Sequence, residues 1–154
     1  MKFIPFDSLT IDSNLHDEEI VAVLSKTITP FKWYDNARDT DKLFYGKIDK
    51  NGFTIWQIIK KGRNSFIPIV KGKIESIASG SQIKVTMRLH IAVLIFLLFF
   101  ISVIAYGFFR QKSIVALIMI LGAYFMTIYF FNLESNKVKS ILTSILQNGT
   151  AQVN

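Results

Sequence analysis

Two uncharged apolar runs, parted by a short basic interruption, constrain this chain more than anything else in it. Residues 89–109 (LHIAVLIFLLFFISVIAYGFF) and 113–133 (SIVALIMILGAYFMTIYFFNL) contain no Asp, Glu, Lys or Arg, and Arg110-Gln111-Lys112 stands between them. As helices rising about 1.5 Å per residue, each is long enough for a hydrocarbon core of roughly 30 Å. So short a joint permits only an antiparallel hairpin. Everything before Leu89 and everything after Leu133 is therefore expected on one side of a membrane. The hydrophobic fraction of 51% comes largely from these runs and overstates the core available to the remainder.

The balance of Lys and Arg near the span ends sets the expected orientation. Lys71, Lys73, Lys84 and Arg88 precede the first run, Lys137 and Lys139 follow the second, and the joint offers only Arg110 and Lys112. Both ends of the chain are therefore expected in the cytoplasm, with the hairpin in a cytoplasmic (inner) membrane. A formal net charge of +7 raises nucleic acid as a partner. A plainer use for that charge is the anionic headgroup layer, where each basic residue is worth about 1 kcal/mol. The chain has no cysteine, which excludes disulfides, thiolate chemistry and Cys-based zinc sites. The opening Met1-Lys2-Phe3-Ile4-Pro5-Phe6-Asp7 lacks the apolar run and small-residue cleavage site of a signal peptide.

Outside the hairpin the hydrophobic period changes along the chain. Ile20, Val23, Leu24, Thr27 and Ile28 follow helical spacing within 15–28, with Asp17, Glu18 and Glu19 in the first turn, where the helix dipole favours anions, and Pro30 as the stop. From Lys42 the period is two, and five strands are expected at 42–48, 53–59, 65–70, 73–78 and 82–88. Their joints carry Asn51-Gly52, Gly62, Lys71-Gly72 and Ser79-Gly80-Ser81. Pro68, which cannot donate to a ladder, points to an edge or bulge. After the hairpin, Val138, Ile141, Leu142, Ile145 and Leu146 form one apolar stripe over 135–147, a helix that continues the second span or follows it.

A sheet with one face to cover and two helices with a stripe to bury predict an α+β fold. It is an antiparallel five-stranded sheet covered by N- and C-terminal amphipathic helices and interrupted by a transmembrane helical hairpin. The division is 1–88 for the cytoplasmic helix and β-meander, 89–133 for the hairpin, and 134–154 for the closing helix. The alternative for 134–154 is a helix lying on the membrane surface.

Alternating strand directions would place the turns at 50–52 and 71–73 beside the membrane and those at 60–64 and 79–81 away from it. Lys47, Lys50, Lys71, Lys73, Arg88, Lys137 and Lys139 then form a headgroup-contacting collar. Lys60, Lys61, Arg63 and Asn64 form the turn best placed for an anionic partner, although they lack the pattern of a phosphate loop. Within the hairpin, Ser102, Ala105, Ala116, Gly122 and Ala123 are the small residues that let two helices approach closely.

The catalytic inventory is thin. His16 and His90 are the only histidines, and neither belongs to a Ser-His-Asp set, a His-Glu-x-x-His motif or a convergent carboxylate pair. Asp7, Asp12, Asp35, Asp39 and Asp41 read as turn and loop residues. No metal, cofactor or enzymatic activity is expected.

Phe44-x-Gly46-x-Ile48, Phe53, Arg63-Asn64-Ser65-Phe66-x-Pro68, Gly72-x-Ile74 and Met87-Arg88-Leu89-His90, followed by the hairpin, resemble a group of small bacterial two-span membrane proteins. No activity is established for that group, so the resemblance implies architecture and a bacterial origin alone. The expected function is a non-enzymatic membrane-anchored module whose small domain binds a ligand, a lipid headgroup or a protein. The partners are the bilayer and an anionic lipid or protein, with nucleic acid disfavoured and a homo-oligomer compatible. The competing expectation is an oligomeric, toxin-like membrane effector that perturbs the bilayer when triggered.

Overall fold

A computed structural model describes residues 4–31, 41–49, 51–59, 65–112 and 114–148. In chain order the elements are β1 (Phe6–Ser13), α1 (Asp17–Thr27), β2 (Ile28–Thr29), β3 (Phe44–Asp49), β4 (Gly52–Gln57), β5 (Ile69–Ile77), β6 (Gly80–Arg88), α2 (Ile91–Gln111) and α3 (Ile114–Asn148). The strands make one six-stranded sheet in the order β1-β6-β5-β4-β3-β2. All neighbours are antiparallel except β2 and β3, which run parallel.

The fold is α+β, and three of its features correct the five-stranded expectation. β1 is a full strand, paired with β6 from Phe6↔Arg88 to Ser13↔Ser81. Its inward positions are Asp7, Leu9, Ile11 and Ser13, and the polar two are satisfied by groups on α3 rather than by water. The stretches 65–70 and 73–78 are not two strands, because Lys71-Gly72 lies in the middle of β5. Gly72 is there for space: a Cβ at that position would sit 2.2 Å from the Phe53 ring, which covers it from β4. The third feature is the two-residue β2, which makes the sheet mixed.

Alternation decides the faces. Ile83, Val85 and Met87 of β6, Val70 and Ile74 of β5, Phe53 and Ile55 of β4, and Phe44 of β3 point inward and are buried. Two helices cover that face. α1 contributes Ile20 and Leu24, both fully buried. α3 contributes Phe131, Val138, Leu142, Ile145 and Leu146, none more than 1% exposed. The closing helix therefore packs against the sheet, as its stripe implied, and it is continuous with the second apolar run in a single 35-residue helix.

α2 and α3 are each long and apolar enough to cross a membrane. Two hydroxyls on these helices, the exposed one of Ser102 and the buried one of Thr127, return to their own helix: Ser102 donates to Leu98 O at 2.7 Å and Thr127 to Ala123 O at 2.8 Å. Lys112, with φ 49°, closes α2 in the left-handed conformation and turns the chain back.

Three contacts fix how α3 lies on the sheet. The Ser135 hydroxyl meets Met87 Sδ at 3.3 Å, Lys139 pairs with Asp7, and the Ser13 hydroxyl donates to Leu146 O at 2.6 Å. α3 thus leaves the hairpin at the Phe6/Arg88/Ile69 end of the sheet and runs parallel to β1 toward the Ser13/Gly80/Ile77 end.

Candidate functional site

Merging two expected strands into β5 reverses the direction of every strand before it. The 49–52 turn consequently lies toward the far end of the sheet, since Gly52 pairs with Lys73 and Ile55 with Val70. The strand ends that flank the β4–β5 connection lie at the hairpin end. Phe66, in that connection, stacks on Phe130 of α3 with ring centroids 5.7 Å apart. Lys60, Lys61, Arg63 and Asn64, expected as a partner-binding turn, and Lys50 of the expected collar lie outside the described residues.

The collar residues that are described fall into two groups. Those on α3 are engaged within the domain: Lys139 pairs with the buried Asp7, and Lys137 meets Glu134 Oε1 at 2.9 Å. Those on strands project from the outward face of the sheet, on which no described helix packs and whose Tyr45 corner Phe31 covers. There the ladder aligns one continuous rung, Ser8–Thr86–Lys71–Thr54–Lys47. Lys71 and Lys47 are two strands apart, about 10 Å at ordinary strand spacing. Arg88 lies one rung nearer the hairpin and Lys73 one rung farther from it, opposite Lys84.

Electrostatics separates these cations. Glu75 bridges the like-charged pair, with Oε1 3.0 Å from Lys73 Nζ and Oε2 2.6 Å from Lys84 Nζ. Hydrogen bonds from Lys84 and then Lys73 hold its carboxyl below the ordinary glutamate value. Lys47, Lys71 and Arg88 are exposed, and among the described residues no carboxylate comes within ion-pair distance of them. Three unneutralised cations, with the Thr54 hydroxyl between Lys71 and Lys47 and that of Ser8 at the end of the rung, make a surface able to take carboxylate or phosphate oxygens by charge-assisted hydrogen bonds, while the Thr86 hydroxyl donates to Lys71 O.

The same face is aromatic at one corner. Phe31 meets Tyr45 edge-on at 5.5 Å and Trp56 at 5.7 Å. Tyr45 is only 7% exposed, so its ring is packing rather than a platform for stacking bases.

The histidines do no obvious chemistry. His90 caps α2, its Nδ1 accepting from Ala92 N at 3.1 Å. His16 precedes α1, where its own backbone N–H donates to Glu19 Oε2 at 2.9 Å. Asp17 is engaged by Ser76 and by Ser81, whose hydroxyl lies 2.6 Å from Oδ1, and these two bonds hold its carboxyl below the ordinary aspartate value. Among the described residues no three of His, Asp and Glu gather as metal ligands.

In the hairpin, Ala105, Ala116 and Ala123 are half-buried, whereas Ser102 and Gly122 are exposed. A Cβ at Gly122 would meet nothing within 4 Å, so this glycine lies away from the seam between α2 and α3.

Reading the sequence missed Asp7, taken for a loop residue, and the hydroxyls of Ser8 and Thr86 as parts of the surface. The alternation of Asp7, Leu9, Ile11 and Ser13 was the available signal. Comparison with protein-family models, curated proteins and solved structures returns no match.

Proposed function

We propose that this is a non-enzymatic, membrane-anchored recognition module whose outward sheet face binds an acidic polypeptide segment of a neighbouring protein. The hairpin would hold it in a bacterial inner membrane with both chain ends in the cytoplasm, in keeping with the charge asymmetry of the sequence and its resemblance to small two-span proteins. The observation that carries the reading is the rung of Lys71 and Lys47 among hydroxyls, with Arg88 beside it, on a face that no described helix covers.

Geometry favours a protein at the side of the molecule. α3 leads from the apolar hairpin into the domain and runs parallel to β1, so the strands rise away from the bilayer and the outward face looks sideways. A second copy presenting the same face would bring cation against cation.

The test is binding of a Glu-rich peptide to the full chain in neutral-lipid nanodiscs, read by fluorescence anisotropy. The expected result is salt-sensitive binding that falls about tenfold in the Lys47→Glu/Lys71→Glu double variant, from exposed pairs worth roughly 0.2–1 kcal/mol each and replaced by repulsion. Lys26→Glu on the exposed side of α1 serves as control and should bind as the parent does. Equal binding by the double variant, or tighter binding of an oligonucleotide than of the peptide, would contradict the reading.

A further inference from the structure

We infer that the hairpin end of the soluble domain is itself a lipid-contacting surface, seated in the anionic headgroup layer with Ile4 and Phe6 immersed and Arg88 ligating phosphate. The inference rests on the membrane anchorage proposed above and assigns Arg88 to lipid, leaving Lys47 and Lys71 for the acidic partner. It starts from a length. Arg110 and Lys112 mark the far boundary of the apolar hairpin. A hydrocarbon core of roughly 30 Å takes about 20 helical residues. Counting back from Arg110 along α2 reaches Ile91, and counting forward from Ile114 along α3 reaches Leu133.

The domain begins before α3 has left that stretch. Phe66 stacks on Phe130, Phe131 is fully buried in the domain core, and Leu94 of α2 packs against the same core. Phe130 lies three residues short of Leu133, about 4.5 Å at helical rise. A domain that grips the helices there has no room to stand clear of the lipid.

The side chains at this end fit that position. Arg88 is separated from Ile91 only by Leu89 and His90, at most about 10 Å of extended chain. Each headgroup layer is itself roughly 5–8 Å deep. Phe6 pairs with Arg88 across the ladder and is 48% exposed, and Ile4, which precedes it, is 70% exposed. Large apolar side chains flanking a cation without a carboxylate partner are poorly placed in water. They suit an interface where the rings and alkyl groups enter the acyl boundary while the guanidinium meets phosphate.

Because the chain has no cysteine, single nitroxides can be placed cleanly on the full-length protein. Phe6→Cys and Thr10→Cys report two positions on the outward face of β1, one at the proposed interface and one about 13 Å farther along the strand. In nanodiscs of phosphatidylglycerol and phosphatidylcholine, the label at position 6 should show an oxygen-to-nickel-chelate accessibility ratio severalfold above that at position 10. Arg88→Gln should remove most of the rise in Tm that phosphatidylglycerol gives the parent over phosphatidylcholine alone. Equal ratios at 6 and 10 would overturn the inference. So would a label at 6 shielded from both reagents, which would mean a protein covers this end, or a rise in Tm that Arg88→Gln leaves intact.

Discussion

Ending the chain after Glu134 should leave both apolar helices able to cross a membrane but the sheet unable to fold. The deletion removes Val138, Leu142, Ile145 and Leu146, none more than 1% exposed and all set against the inward face of the sheet. Burial of one such side chain is worth about 1.5–3 kcal/mol. Four together amount to about 6–12 kcal/mol, as much as the whole stability of a typical small domain. The deletion also takes away Lys139, which pairs with the buried Asp7, and Leu146 O, which accepts from Ser13. Limited proteolysis in nanodiscs measures the effect. Strands β1, β5 and β6 should resist digestion in the full chain and be cut rapidly in the truncated one. Unchanged resistance would mean the sheet is stable without α3.

The second large effect is expected from a single side chain. Lys139→Met should lower the unfolding free energy of the domain by about 2–4 kcal/mol. Removing one member of a buried pair costs roughly 3–5 kcal/mol where the other is left alone, and the partial exposure of Lys139, with the Ser8 N–H that still donates to Asp7 Oδ1, moderates that figure. Asp7 is 2% exposed and lies on the inward face of β1, beneath α3, so water cannot replace the lost ammonium without opening the helix from the sheet. Asp7→Leu with Lys139→Met should recover most of the loss, because an apolar pair of similar volume puts no charge beneath α3. The readout is the urea midpoint followed by hydrogen exchange in β1 and β6. If the single and double variants unfold alike, the ion pair is not what holds α3 to β1.

Both expectations turn on one helix serving two environments. α3 starts as an apolar run and, without a break, becomes an amphipathic helix whose stripe completes the core. Its C-terminal half is tied to β6 through Ser135 and to β1 through Lys139 and Leu146, so a tilt of the apolar half is expected to carry the sheet with it. The outward face then moves with the hairpin rather than independently of it.

Much of this was legible in the sequence. The uncharged runs gave the hairpin, and the stripe from Val138 to Leu146 gave the docking of the closing helix. The alternation of Ile83, Val85 and Met87 gave β6. Acidic residues before Ile20 and Leu24 gave α1. What stayed hidden depended on contacts between distant positions. β1 does not read as a strand because half of its inward residues are polar, and the group that satisfies Ser13 lies 133 positions later. Lys71-Gly72 looks like a turn, and only the ring of Phe53 above Gly72 explains a glycine inside a strand. Reading two strands there alters the parity of the meander and so puts the 49–52 turn at the wrong end of the sheet. The candidate surface suffered likewise. Its lysines were visible as residue types, but the rung that joins Lys47, Lys71 and Ser8 exists only in the register of five strands.

The central claim is that α3 both crosses the membrane and closes the sheet, which requires the domain and the C-terminal end of α3 to share one side. Single cysteines at Ser79, Lys112 and Gln147, all exposed, can be probed in sealed vesicles with a membrane-impermeant maleimide. Positions 79 and 147 should react from the same face and position 112 only from the opposite one. Labelling of 79 and 147 from opposite faces would contradict the account.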